Sequence, residues 1–241
     1  MKKIIGIFIV TLLVFSAMTT IASNVNKNNY CESRIIKPND VPDEWLEGAD
    51  QYQTDDYAYG YQCTPVYHIA QEFKPTKEDL TAVALYFFGF NPPSGVKITV
   101  AIRDNLTDVD LTKYTIVADS KKIEGKGQWV MFDFDDIKVI PEETYYIVCY
   151  ADDGELNNCY CWFFDVNNKY DRGIAWGSNN SGSTWVDFQE DPGGDPFLVE
   201  LDLCFITYFQ EPPKNKGIQT ILYKLFERHP NLFQFLERFI N

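Results

Sequence analysis

The chain has 241 residues, 45% of them hydrophobic and 16% aromatic, enough apolar material for one domain of ordinary size with a true core. Its formal net charge of −14 sets 35 Asp and Glu against 21 Lys and Arg. Such a balance opposes nucleic-acid phosphates and makes nucleic acid an unexpected partner, although solubility alone also selects acidic surfaces.

Met1 to Ser23 carries Lys2 and Lys3, an apolar run from Ile4 to Ala17, and small residues around Thr20, Ala22 and Ser23. This is the layout of a cleavable secretory signal, and the run is short of the ~20 residues a spanning helix needs. An uncleaved membrane anchor is the alternative. The expected location is therefore secreted or extracellular, at a cell surface. Cleavage takes two basic residues and no acidic ones, leaving 19 against 35, a net of −16. All six cysteines, Cys31, Cys63, Cys149, Cys159, Cys161 and Cys204, lie beyond the signal, where export makes disulfides the default.

Residues 24–46 are polar, contain Pro38 and Pro42, and show no sustained periodicity, so they read as a linker or N-terminal arm. Residues 47–209 form short apolar alternations broken by Gly, Asn, Asp and Pro clusters, the pattern of an all-β sandwich. The clearest strand is Val96 to Asp104, where Val96, Ile98, Val100 and Ile102 alternate with Lys97, Thr99, Ala101 and Arg103. A second is Gln128 to Asp135, with Val130, Phe132 and Phe134 inward and Asp133 and Asp135 outward. A third, Phe197 to Tyr208, buries Phe197, Val199, Leu201, Leu203 and Phe205 and turns Glu200, Asp202 and Cys204 to the other face. Further strands are expected near 66–74, 80–90, 113–118, 144–151, 159–165, 173–177 and 184–188, which makes two sheets.

After Phe209 the texture changes. Glu211-Pro212-Pro213 ends the sheet, because proline lacks the amide a ladder needs. Residues 210–241 then read as a Pro-containing spacer and two short amphipathic helices. Ile218, Ile221, Leu222, Leu225 and Phe226 share one helix face, as do Leu232, Phe233, Leu236, Phe239 and Ile240 after Pro230. Residues 218–240 could dock a protein partner, the membrane surface or the sandwich itself; Lys224, Arg228 and Arg238 suit headgroups.

Several stretches resemble a family of secreted archaeal and bacterial jelly-roll β-sandwich domains similar to carbohydrate-binding modules of surface proteins. They are Ile69-Ala70-Gln71-Glu72-Phe73-Lys74-Pro75-Thr76, Leu80 to Tyr86, Ile98 to Asp104, Trp129 to Phe134, Pro141 to Val148, Tyr160-Cys161-Trp162, Ala175-Trp176, Thr184-Trp185 and Asp202 to Phe205, with Asp50-Gln51 and Thr54 opening the domain. The resemblance spans about 160 residues and none of the tail. It implies a two-sheet jelly roll with a non-catalytic, binding or surface-display role.

The candidate chemistry agrees. Only His68 and His229 are present, with no nucleophile elbow, no His-x-x-x-His pair and no phosphate-cradling glycine loop, so an enzyme is not expected. His68 falls on the wetter face of its strand with Ala70 and Glu72. Glycan binding uses exposed rings as platforms, with sugar hydroxyls meeting nearby carboxylates and amides. Tyr170, Trp176 and Trp185, interleaved with Asp165, Asn168 and Asp171, supply that mixture, so an extracellular glycan or surface glycoconjugate is the expected ligand. The same tryptophans are alternatively core, and Trp162, within Cys161-Trp162-Phe163-Phe164, reads as core. The rival role is a structural or interaction surface protein whose C-terminal helices dock a partner or the membrane.

Calcium is the cofactor this composition would hold, through carboxylate and backbone oxygens. The places for it are Asp50 with Asp202 at the joined first and last strands, Asp152-Asp153-Gly154-Glu155, and Glu190-Asp191 with Asp195. Cys159 and Cys161 make a weak zinc pair. If 144–151 and 159–165 form a hairpin, Cys149 faces Cys161 and the two pair as a disulfide. Sequons stand at Asn105-Leu106-Thr107 and Asn179-Asn180-Ser181.

Overall fold

The computed structural model describes residues 30–32, 41, 43–55, 59–121, 123, 127–165, 170–188 and 201–210. These residues form two antiparallel sheets with almost no helix. The first sheet contains β1 (Tyr30–Glu32), β2 (Ala49–Gln53), β3 (Tyr59–Cys63), β5 (Asp79–Phe90), β8 (Gln128–Lys138), β10 (Cys159–Asp165), β13 (Asp202–Leu203) and β14 (Phe205–Tyr208). The second runs in the order β12 (Val186–Asp187), β11 (Ala175–Ser178), β4 (His68–Phe73), β9 (Tyr145–Ala151), β6 (Lys97–Arg103) and β7 (Thr112–Val117). The expected signal, the spacer and the helices of residues 218–240 lie outside the described residues, as do Phe197 and Val199. Within the stretch that reads as a linker, β1 pairs with β3 and the one-turn helix α1 (Asp43–Leu46) packs on the first sheet.

The alternation in the sequence sets the core. Ile98, Val100 and Ile102 of β6 meet Val130, Phe132 and Phe134 of β8 in one buried cluster, while Asp133 and Asp135 stay exposed. Strand β5 is the spine of the first sheet. It pairs with β8 along one edge; along the other it pairs with β14 at Ala82–Leu85 and then with β10 at Phe87–Phe90. The chain moves between those two partners at Cys204, whose N–H donates to the Phe163 carbonyl (2.9 Å) and whose carbonyl accepts from Trp162 Nε1 (2.7 Å).

Along β5, β10 and β14 both faces of this sheet are buried. Val83, Leu85 and Phe87 face the sandwich core, whereas Ala82, Ala84, Tyr86 and Phe88 belong to clusters on the opposite face. There Ala82 and Ala84 contact Ile206 and Tyr208 under Val41, Trp45 and Leu46, and the Tyr208 hydroxyl donates to the Trp45 carbonyl (2.7 Å). Hence β5 and β10 lack a simple alternation of apolar and polar residues.

Three expectations need correction. Strands β9 and β10 do not form a hairpin: β9 sits between β4 and β6, and β10 between β3 and β5. The turn between them is an arch from one sheet to the other, tied to β6 where Lys97 N–H donates to Asp152 Oδ1 (2.7 Å) and Asp152 N–H to the Lys97 carbonyl (3.0 Å). Cys149 and Cys161 therefore stand in different sheets. Asp202 is fully buried rather than outward-facing, because it accepts from Tyr170 N–H at Oδ2 (3.0 Å) and from Gln71 Nε2 at Oδ1 (3.4 Å). The strand that carries Asp50, β2, pairs with the last described strand, β14, yet Asp202 lies on β13, which pairs β10. Asp50 turns to Thr76, accepting from its N–H (2.8 Å) and its hydroxyl. Asp50 and Asp202 thus hold separate donors, Thr76 for the first and Tyr170 and Gln71 for the second.

Candidate functional site

The outer face of the second sheet differs from that of the first. Across β11, β4, β9, β6 and β7 one row reads Trp176, Ala70, Val148, Ala101, Lys113, and the row above it Ser178, His68, Tyr150, Thr99, Thr115. A third row holds Glu72, Tyr146 and Arg103. Side chains two apart on a strand share a face, so five strands bring these aromatic and polar groups onto one surface.

Trp176, Trp185, Tyr146 and Tyr150 are half-buried around Ala70, Val148 and Leu106. Tyr146 meets Trp176 edge-on at 6.4 Å between ring centroids, and His68 stacks on Tyr150 at 4.7 Å. Trp185 donates from Nε1 to the Gly182 carbonyl (3.0 Å), and Trp176 Nε1 donates to Glu72 Oε2 (3.4 Å). The chain leading into β11 lies close to β4 because Gly173 has no side chain: a Cβ there would fall 2.1 Å from the Glu72 carbonyl oxygen. Beyond Arg103, the loop 104–111 folds back onto the face and seats Leu106. Arg103 holds it, donating from Nη1 to the Leu106 carbonyl and from Nε to Asp110 Oδ1, each at 2.8 Å. An open depression of about 410 Å³ beside it is lined by Arg103, Asp108, Val109, Asp110, Thr112 and Lys113.

Burial raises the pKa of Glu72, against the Trp176 hydrogen bond and the charge of Lys74, which lower it. Burial lowers that of His68, with Arg103 adding to the effect and a hydrogen bond to Pro65 opposing it. The folded protein thus favours neutral His68, whereas the unfolded chain protonates it near 6.5. Between 6.5 and the lower folded value the unfolded state binds more protons, so His68's contribution is present above 6.5 and lost as the pH falls through that window. The imidazole titration followed by NMR is expected to have its midpoint below 6.5, and the stability difference between wild type and His68→Asn to shift against wild type on acidification from there. A midpoint at or above 6.5 would place His68 in a solvated setting instead.

Of the expected ligand residues, the structure brings Trp176 and Trp185 together and separates the rest. Tyr170 is buried in the core, 5.0 Å from the Phe205 ring and edge-on to it. Its hydroxyl donates to Gln51 Oε1 (3.2 Å) and accepts from Lys74 N–H (3.4 Å), while burial pushes its pKa up to about 12. The phenol goes inside because buried partners wait for its hydroxyl. Asp165 is buried on β10 in the opposite sheet, beside Asp202. Asp171 is exposed in the turn after Tyr170, and Asn168 lies outside the described residues. Trp162 is fully buried.

Sequence reasoning missed Tyr146 and Tyr150 as members of this face, and read Glu72 and Arg103 only as outward residues of their own strands. The signal was the even spacing of Tyr146, Val148 and Tyr150, which puts both rings on one side of β9 while Ile147 and Cys149 enter the core.

No group of three or more His, Cys, Asp or Glu among the described residues is arranged to hold a metal ion. The acidic turn after β9 is engaged locally: Asp152 holds Lys97 N–H, Asp153 accepts from Gly154 N–H (2.7 Å) and Glu155 from Asn158 Nδ2 (3.5 Å). Glu190, Asp191 and Asp195 lie outside the described residues. Both sequon asparagines, Asn105 and Asn179, are exposed.

No family model and no curated protein matches the chain. Among solved structures it is similar to part of a family GH115 4-O-methyl-alpha-glucuronidase with specificity for decorated arabinogalactans, at 13% identity and a TM-score of 0.29, over 51% of this chain and 17% of that one. It is also similar to TmCBM61 in complex with beta-1,4-galactotriose, at 10% identity and a TM-score of 0.22, over 53% of this chain and 94% of that one. A third likeness, to a structure of infectious bursal disease virus, Gx strain, has 10% identity and a TM-score of 0.22, over 79% of this chain and 53% of that one. Scores this low carry no argument about ligand or activity.

Proposed function

We propose that this chain is an exported, non-catalytic binding module of jelly-roll type that takes an extracellular glycan on the outer face of its second sheet. One observation carries the reading: Trp176, Trp185, Tyr146 and Tyr150 gather, half-exposed, on a single sheet face whose accessible polar residues include Thr115, Glu72 and Arg103. A pyranose presents C–H groups on its faces and hydroxyls at its edge, so it suits rings flanked by hydroxyl, carboxylate and guanidinium groups. Three of the four rings, Trp176, Tyr146 and Tyr150, belong to strands, which fixes their spacing and lowers the ordering cost of binding. On the first sheet, by contrast, the outward rings Tyr86, Phe88 and Phe163 of β5 and β10 are buried.

The test is retention of the protein without residues 1–23 on a panel of neutral and acidic polysaccharides, with tryptophan fluorescence titrated against those that retain it. Saturable quenching or a spectral shift is expected with at least one polysaccharide. A folded protein that no polysaccharide retains, with unchanged emission throughout, would defeat the proposal.

A further inference from the structure

We propose that Cys63 and Cys149 form a disulfide that joins the two sheets at the corner where the chain passes from one to the other. Cys63 ends β3 in the first sheet; after the turn at Thr64–Tyr67, closed by a Thr64 N–H to Tyr67 carbonyl hydrogen bond (3.0 Å), the chain enters β4 in the second. Cys149 lies on β9, directly across from Ile69 of β4. The short turn draws the sheets together, and Cα atoms of β3 and β9 come within 8 Å. Sheets packed face to face ordinarily stand about 10 Å apart, too far for a disulfide with its Cα separation of about 4.4–6.8 Å.

Both residues are thiols in the structure, fully buried, with sulfurs 3.6 Å apart. That is van der Waals contact, and bonding needs an approach of about 1.5 Å, within the reach of a χ1 adjustment on each side. The other close pair, Cys159 and Cys161 at 3.7 Å, sits on one strand. Residues two apart there are held roughly 6.7 Å apart along the backbone, against the ~3.8 Å between Cβ atoms of a disulfide, so bonding would buckle β10. Cys63 and Cys149 are free of that constraint because they come from different strands.

The oxidant is a small-molecule disulfide such as oxidised glutathione. The thiolate of one cysteine attacks it and expels one glutathione thiolate; the second cysteine's thiolate attacks the mixed disulfide and expels the other. Two thiol protons are released and taken up by the departing thiolates, so two cysteines are oxidised and one glutathione disulfide is reduced to two thiols. Full burial of both sulfurs places this step during folding, before the corner closes.

Refolding the reduced, denatured full chain in a glutathione redox buffer, followed by alkylation and non-reducing digestion, tests the proposal. The expected product is a cross-linked peptide pair containing Cys63 and Cys149, about 2 Da lighter than the sum of its thiol forms. The oxidised protein should melt about 5–15 °C above protein refolded with reductant, a gap that disappears in Cys63→Ala/Cys149→Ala. Recovery of both cysteines as alkylated thiols, or of either joined to another cysteine, would overturn the assignment. Should the double variant fail to fold, the peptide map of the wild-type chain still decides.

Discussion

Replacing Trp162 by alanine is expected to cost about 3–5 kcal/mol of stability, the largest effect of any single substitution considered for this molecule. The indole is fully buried on β10 between the sheets, with the Phe87 ring 6.3 Å away, and it belongs to the cluster that contains Tyr61, Leu203 and Phe205. Its removal leaves a void the surrounding strands cannot close without breaking ladders on both edges of β10. The Cys204 carbonyl also loses its 2.7 Å donor at the point where the chain changes partner strands. For a domain of this size the melting temperature should fall by roughly 6–20 °C. Trp162→Phe, which keeps most of the packing and loses the hydrogen bond, should fall by much less. Denaturant titration followed by circular dichroism measures both variants. A cost below about 1 kcal/mol for Trp162→Ala would show that the ring is not part of the core.

Strand positions were legible where one face of a strand is wet. Lys97 to Arg103 and Gln128 to Asp135 carry charged or hydroxyl residues opposite Ile98, Val100, Val130 and Phe132, and both form strands with those apolar residues buried. Partnership was harder to read. β10 reads Cys-Tyr-Cys-Trp-Phe-Phe-Asp and is buried on both faces, so nothing in its alternation says which layer it joins, and the short connection after Ala151 suggested a hairpin where the chain makes an arch. Strand β1 was missed because residues 24–46 read as linker, and β3 because its residues carry no clear alternation, while β2 was foreseen only through Asp50 on the first strand. Gln51, Gln53 and Gln62 are buried, yet only a completed fold supplies partners for such side chains, as Thr207 does for the Gln51 backbone N–H (3.0 Å).

For the candidate site, the sequence identified residue types but not their assembly. Trp176 and Trp185 were legible as rings among polar turns. Tyr146 and Tyr150, at least 26 residues earlier in the chain, join them only because β9 pairs β4 and β4 pairs β11. Tyr170 and Asp165 were misplaced for the opposite reason. A tyrosine within a polar loop is exposed unless the core presents a partner for its hydroxyl, and Gln51, more than a hundred residues away, is that partner.

If the outer face of the second sheet binds glycan, Trp176→Ala should weaken binding by about 10–100-fold while leaving the melting temperature nearly unchanged. Trp176 is half-buried on the short strand β11, where Tyr146 meets it edge-on and Glu72 accepts from its Nε1, so both its orientation and its polar edge are fixed before a ligand arrives. Removing the indole deletes the flat surface and frees the Glu72 carboxylate, but it leaves Ala175 and the β4–β11 ladder in place. Trp185→Ala should act in the same direction, and Tyr150→Ala should also release His68 from its stacking partner. Tyr170→Phe is the contrasting control: it removes a buried hydrogen bond to Gln51 at a cost of about 1 kcal/mol and should leave binding intact. Isothermal titration against a retained polysaccharide, with melts on the same samples, separates the two kinds of effect. Equal affinity for wild type and Trp176→Ala, or loss of binding in Tyr170→Phe with Trp176→Ala unaffected, would move the ligand away from this face.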